Sequence, residues 1–140
     1  MFATFDESIP PYVHVKFNGC IRNTSDFTHF TDKWIELYDR GIEFVYTFDT
    51  RKMGLLMNPK WCFKMASFIK RLKRRRYHYL KYSVILVRDK HIQFLLKLIF
   101  KTQKPVAPVY LTFSPEDVSL IHNCIEYGVT VPPDVDIIYP

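Results

Sequence analysis

Strand-type and helix-type segments alternate in this sequence from Tyr12 to Gly128, in the order strand then helix, four times over. Short runs of β-branched and aromatic residues indicate the strands, and longer runs with apolar residues three or four positions apart indicate the helices. Strands joined by a crossover that contains a helix run parallel, and such crossovers are right-handed. The sequence therefore predicts an α/β fold, with about four helices packed on a single mostly parallel or mixed sheet of four to five strands.

The four predicted strands differ in how fully they are buried. The first alternates polar and apolar side chains and stops at Asn18-Gly19, which is typical of a strand with one buried face. The second and third are almost continuously apolar, as expected for strands that are covered on both faces. In chain order the predicted strands are YVHVKF from Tyr12, IEFVYTFDT through Asp49, YSVILV from Tyr82 and VYLTF from Val109.

Capping residues predict where the helices begin and end. The first helix has Ser25 or Asp26 as its cap and Gly41 as its left-handed stop. Asp89 caps the third helix, and Ser114 followed by a proline starts the fourth. The predicted apolar face of the first helix consists of Phe27, Phe30, Trp34, Leu37 and Tyr38.

The second predicted helix starts at Asn58-Pro59 and separates apolar from basic side chains. Residues 60–81 contain nine of the 20 Lys and Arg residues and no acid, so the other 11 bases face 14 acids elsewhere. The net charge of +6 therefore comes from this segment. Its predicted apolar face is Trp61, Met65, Phe68, Ile69, Leu72 and Leu80. Its predicted anion-binding residues, six bases within seven positions, are Lys70, Arg71, Lys73, Arg74, Arg75 and Arg76.

Length and composition predict one folded domain over residues 1–140. With 48% hydrophobic and 24% charged residues, the chain lies outside the range of disordered proteins and is long enough to bury one core. We expect the core at about residues 12–127 and extended tails at 1–11 and 129–140. No apolar run reaches the roughly 20 residues of a membrane span, and the first residues lack a signal-peptide pattern. We therefore expect an intracellular protein, cytoplasmic or nuclear, without a transmembrane segment.

The sequence offers few residues for catalysis, metal binding or nucleotide binding. The five histidines have no zinc-site spacing, the three cysteines are widely separated, and the four glycines form no phosphate loop. We therefore expect no metal, no cofactor and no enzymatic activity. Asp49 ends a central strand, where open α/β sheets place their active sites. We expect Asp49 to cap its loop or to pair with Arg51 rather than to act in catalysis.

The segments VHVKFNG, FVYTFDT and KYSVILVRDKHIQFLLKLIFKTQKPVAPVYLTFSPEDV resemble STAS domains, the fold of anti-sigma-factor antagonists, and the related lipid-binding CRAL-TRIO fold. The resemblance covers about residues 12 to 125 and rests on element order, Gly19, Asp49, the strand VILV and the strand start at Pro108. It implies a non-catalytic domain that binds protein partners or small anionic or hydrophobic ligands near its second helix. Many antagonists carry a phosphorylated Ser at the start of that helix, where this chain has Asn58.

Three interpretations of the basic run remain open: a solvated helix face, a site for phosphates of nucleic acid or anionic lipid, and a nuclear-import signal. We predict a non-enzymatic STAS-like binding domain that engages a protein partner or small ligand. The predicted partner or ligand surface consists of Asp49, Thr50, Arg51, Asn58, Lys60 and Trp61. The alternative is a binder of anionic surfaces, either phospholipid in the CRAL-TRIO manner or nucleic acid, through the basic helix at 60–81. An enzyme built around Asp49 is a third alternative.

Overall fold

The computed structural model describes residues 2–54 and 58–140 of the chain. It contains a six-stranded mixed sheet and four helices, so the predicted α/β class is confirmed. Residues 55–57, which lie between Arg51 and Asn58 of the predicted partner or ligand surface, are outside the described part. The strands are Ala3–Ile9 (β1), Tyr12–Phe17 (β2), Phe44–Asp49 (β3), Leu80–Leu86 (β4), Val109–Thr112 (β5) and Asp136–Ile138 (β6). The helices are Thr24–Asp39 (α1), Lys60–Lys73 (α2), Lys90–Thr102 (α3) and Pro115–Glu126 (α4).

The strands follow one another across the sheet in chain order, from β1 to β6. β2, β3, β4 and β5 are parallel, and β1 and β6 run antiparallel at the two edges. Because each right-handed crossover moves one strand in the same direction, α1, α2 and α3 all pack on one face of the sheet. α4 packs alone on the other, against β4 and β5. We call these the three-helix face and the α4 face.

The sheet has one or two more strands than the sequence predicted, because segments within both expected tails pair with it. β1 forms a hairpin with β2, in which Ala3 lies opposite Phe17. Its side chains alternate, with Ala3 and Phe5 directed inward and the acidic Asp6 outward, which is the pattern of an edge strand. β6 has only three residues and pairs with β5. Strands this short or this acidic give a weak sequence signal.

The capping predictions hold for α3 but not for α1. Asp89 caps α3, since its carboxylate accepts a hydrogen bond from the Ile92 N–H at 3.1 Å. α1 begins at Thr24, two or three residues before the start that Ser25 or Asp26 predicted. Asn23 is the cap, and its Oδ1 accepts a hydrogen bond from the Asp26 N–H at 2.9 Å. All three residue types cap helices well, so propensity alone does not choose among neighbours. Gly41 has the predicted left-handed conformation, with φ of +67°.

α2 ends earlier than its apolar pattern suggested. Its last residue is Lys73, and Arg74 follows as the C-cap with its N–H on the Arg71 carbonyl at 3.1 Å. Leu80 was therefore placed wrongly on the helix face, because it begins β4. It is nevertheless buried in the same core, which explains why its apolar character continued the helical pattern. The residues of α2 that are buried are Trp61, Cys62, Ala66, Phe68, Ile69 and Leu72.

Candidate functional site

Asp49 and Arg51, two residues of the predicted partner surface, form an ion pair with each other. The Asp49 carboxylate accepts hydrogen bonds from the Arg51 backbone N–H at 3.0 Å and from Arg51 Nη2 at 2.8 Å. These bonds, chiefly the side-chain ones, hold the pKa of Asp49 below its usual range. The charge at the end of β3 is thus neutralised within its own loop.

Thr50 and Asn58 make hydrogen bonds that hold the backbone. The Thr50 hydroxyl donates to the Leu86 carbonyl at 2.8 Å and accepts from the Arg88 N–H at 3.2 Å, so it joins the ends of β3 and β4. The Asn58 side chain accepts from the Lys60 N–H at 2.9 Å, at the start of α2. Both polar side chains therefore stabilise the local backbone through hydrogen bonds.

Trp61 and Lys60 form the amino-terminal end of α2. Trp61 is buried, with 5% of its surface exposed, and its ring stacks on Phe27 with the ring centroids 5.8 Å apart. The Nζ atoms of Lys60 and Lys64 lie 4.9 and 5.1 Å from the Trp61 ring centroid, which is cation–π distance. Trp61 and Thr50 reach one common cavity, whereas Asp49, Arg51, Asn58 and Lys60 do not line it.

The cavity lies between the three-helix face of the sheet and α1, α2 and α3. It has a volume of about 120 Å³, and its wall is almost entirely apolar. The sequence showed the apolar faces that surround it but not that space remains between them. The described lining residues are Phe2, Phe17, Ile21, Phe27, Phe30, Trp34, Phe48, Thr50, Met53, Trp61, Cys62, Met65, Ile69, Leu80, Ser83, Ile85, Leu96, Ile99, Phe100, Pro105, Val106, Ala107 and Val109.

One polar group in the cavity wall lacks a partner. The indole Nε1–H of Trp34 is buried and makes no hydrogen bond to any residue in the described ranges. The ring of Tyr46 meets that of Trp34 edge-on, with 4.9 Å between the centroids. The Tyr46 hydroxyl is also buried and makes no hydrogen bond within the described part of the chain. Burial raises the pKa of Tyr46 well above 10 and raises that of the Cys62 thiol, so both groups stay neutral. Buried donors without partners are rare in folded proteins and call for an explanation.

A second group of predicted residues lies at the other end of α2. Lys70, Arg71 and Lys73 occupy its last turn, and Arg74, Arg75 and Arg76 follow. All six were predicted as one cluster, and the structure keeps them together. Arg75 pairs with Asp39 at 2.9 Å, while the other five form no ion pair within the described part of the chain. We call these six residues the basic cluster.

The α4 face holds a buried polar network that the sequence did not predict. His122 of α4 makes hydrogen bonds through Nε2 to the Thr47 hydroxyl at 2.8 Å and through Nδ1 to the Tyr82 hydroxyl at 2.9 Å. Burial, with a smaller effect from the charge of His14, lowers the pKa of His122 to about 4. Each ring nitrogen has a partner, so the network is complete in itself. The partners are 75 and 40 positions away from His122, so no local signal links them.

Comparison of the chain with protein-family models, curated proteins and solved structures found no match. The resemblance to STAS and CRAL-TRIO domains therefore stays a prediction. Within residues 2–54 and 58–140, no helix combines the length and apolar character needed to cross a membrane, and no three His, Cys, Asp or Glu residues are grouped so that they could hold a metal ion.

Proposed function

We propose that this chain is a binding domain for a small, neutral, apolar ligand, which occupies the cavity under α1, α2 and α3. The cavity itself carries the proposal. A volume of about 120 Å³ suits a ring or a short stretch of acyl chain. Apolar cavities of this size stay dry and bind molecules such as benzene, because water finds too few partners in them. An apolar ligand gains roughly 25 cal/mol for each Å² that it buries.

The polar groups of the wall define the ligand further. The Trp34 indole N–H has no partner among the described residues but is itself fully buried, so the wall presents an almost entirely apolar surface to a ligand. No Lys, Arg or His is among the described lining residues, so a carboxylate would be buried without a countercharge. Burying an unpaired charge costs far more than one hydrogen bond returns. The cavity thus favours a neutral, apolar ligand.

The second helix supplies part of the wall on the side nearest to solvent. Met65 of α2 and Leu96 and Ile99 of α3 line the cavity and are only half-buried. α2 and α3 pack directly against each other, so a small separation of the two helices would admit a ligand. Unbranched methionine adapts easily to such a change. This placement supports the prediction of a ligand near the second helix.

Intrinsic fluorescence gives a direct test, because both tryptophans of the chain, Trp34 and Trp61, line the cavity. We expect benzene, toluene or octan-1-ol to change the tryptophan emission and to raise the melting temperature in a saturable way. Sodium octanoate, matched in chain length but charged, should bind at least tenfold more weakly.

Two variants locate the binding. Ala107→Leu places three extra carbons in the cavity and should abolish the fluorescence change. Val84→Ile enlarges a buried side chain on the α4 face, away from the cavity, and should leave the ligand-induced fluorescence change intact. If Ala107→Leu does not fold, the titrations of the wild-type protein with the neutral probes and with octanoate test the proposal instead. A wild-type protein that shows neither an emission change nor a rise in melting temperature with any neutral probe contradicts the proposal.

A further inference from the structure

The charges of the basic cluster are largely uncompensated. Of its six cations only Arg75 has an acidic partner within the described residues, and all except Lys73 are exposed. Cations in the last turn of a helix interact favourably with its dipole, which accounts for the first three residues of the cluster. Arg74 and Arg76 lie beyond that turn and need another explanation. Holding like charges this close raises the free energy of the fold, and an anionic partner would lower it again.

The surface between α1 and the end of α2 provides a place for such a partner. Arg71 and Arg75, four positions apart, line a groove together with Ile35, Phe68 and Leu72. The bond from Arg75 to Asp39 uses Nη1, and a guanidinium has five N–H donors. Both arginines therefore keep donors for phosphate oxygens, which guanidinium groups bind well.

An exposed aromatic ring adjoins the arginines. Tyr77 has 60% of its surface exposed, and the Arg76 guanidinium lies 5.4 Å from its ring centroid. Aromatic rings beside cations are the stacking surfaces on which proteins hold the bases of single-stranded nucleic acid. Bases in a duplex are stacked on each other and do not offer their faces in this way.

The packing of α2 argues against a membrane as the partner. Helices that bind at a bilayer surface insert their apolar face into it. In α2 that face is already used, since Phe68 and Leu72 are each only 2% exposed. The exposed residues from 70 to 78 are basic, tyrosine or histidine, with no exposed aliphatic side chain among them.

We propose that the carboxyl-terminal end of α2 binds single-stranded nucleic acid. Phosphates contact Arg71, Arg74 and Arg76, with the Arg71–Arg75 groove as one phosphate position, and an unpaired base stacks on Tyr77. This site lies apart from the cavity, because its residues do not line it. The ligand proposal and the nucleic-acid proposal can therefore be tested independently of each other.

Fluorescence anisotropy with a labelled 15-nucleotide oligo(U) at 50 and 200 mM salt tests the proposal. We expect measurable binding at 50 mM that weakens steeply with salt. The triple variant Arg71→Gln, Arg74→Gln and Arg76→Gln should weaken binding at least tenfold and lower the log–log salt slope by about 2, since each phosphate contact on a single strand contributes about 0.7. Lys16→Gln, Lys90→Gln and Lys104→Gln together remove the same charge outside the cluster and should have little effect.

Tyr77→Ala separates single strands from other polyanions. It should weaken oligo(U) binding about fivefold to 100-fold, the range for loss of one base–aromatic stack. Binding to a 15-base-pair duplex should be weaker in the wild type and unchanged by this substitution. The proposal is overturned if the wild type does not bind oligo(U) at 50 mM salt, if it binds phosphatidylserine vesicles or the duplex more tightly, or if Tyr77→Ala has no effect.

Discussion

On the α4 face of the sheet, a buried histidine and two buried hydroxyl groups satisfy one another, whereas on the three-helix face two buried donors have no partner in the described part of the chain. His122, Thr47 and Tyr82 form the first set. Trp34 and Tyr46 form the second. Both faces belong to the same six strands, so the difference comes from what packs on them.

The difference reflects how the two faces are filled. The three-helix face is covered by large aromatic rings from several elements, such as Phe30, Trp34 and Phe48, whose centroids lie about 6 Å apart. Rigid rings leave gaps when their shapes do not match, and here a cavity of about 120 Å³ remains. The α4 face is covered by a single helix that brings one polar side chain to two partners. The first arrangement leaves a cavity, and the second brings each buried polar group to a partner.

The largest effect is expected from a cavity-forming change on the three-helix face. Phe68 is 2% exposed and its ring meets Trp34 edge-on at 5.5 Å, so Phe68→Ala should lower the free energy of unfolding by about 3 to 5 kcal/mol. Urea denaturation measures this loss. Phe94→Ala removes the same ring from a side chain that is 64% exposed and should cost less than about 0.5 kcal/mol. A loss below about 1 kcal/mol for Phe68→Ala would show that α2 is oriented differently.

The α4 face should respond to acid. The pKa of His122 falls from 6.5 to about 4 on folding, so the unfolded chain binds this proton first. Stability is therefore full above pH 6.5 and declines as the pH falls toward 4, by about 2 kcal/mol after allowance for solvent screening.

Urea denaturation at several pH values between 7 and 4.5 tests this expectation, with His122→Gln as the variant that lacks the titrating group. The variant should lose much of the pH dependence in that window. The exposed His29→Gln should keep it. Equal pH dependence in the wild type and in His122→Gln would mean that the network does not control acid stability.

The smallest change in the free energy of unfolding is expected from two Tyr→Phe substitutions, one on each face of the sheet. This pair also tests the difference between the two faces most directly. Tyr46→Phe removes a buried hydroxyl without a partner and should raise the free energy of unfolding by about 0.5 to 1 kcal/mol. Tyr82→Phe removes the partner of His122 Nδ1 and should lower it by about 1 kcal/mol. Thermal and urea denaturation of both variants measure the two signs. Changes of the same sign would show that the faces do not differ in polar satisfaction.

The predicted site residues at the two ends of α2 differ in their exposure and in their ion pairs. At the amino-terminal end the sequence placed Asp49 through Trp61 on one surface, but Asp49 pairs with Arg51 and Trp61 is buried. Asp49 and Arg51 are only two positions apart, so the sequence could predict that they pair. At the carboxyl-terminal end, charge density alone located the basic cluster, because Lys and Arg almost never lie buried without partners.

The sequence by itself determined the order of the four helices and the four central strands, the apolar face of α1, the cap of α3 at Asp89 and the position of the basic cluster. These features depend on neighbours within a few positions, through the helical and strand periods and through local hydrogen bonds. It misplaced Leu80 because an apolar residue of the next strand continued the helical pattern.

Only the tertiary structure decided which face of the sheet each helix covers, where space remains in the core and which polar groups meet there. The cavity wall draws on residues from Phe2 to Val109, and the His122 network joins three separate elements. Such contacts depend on the shapes of side chains brought together from distant positions, which periodicity and propensity do not encode.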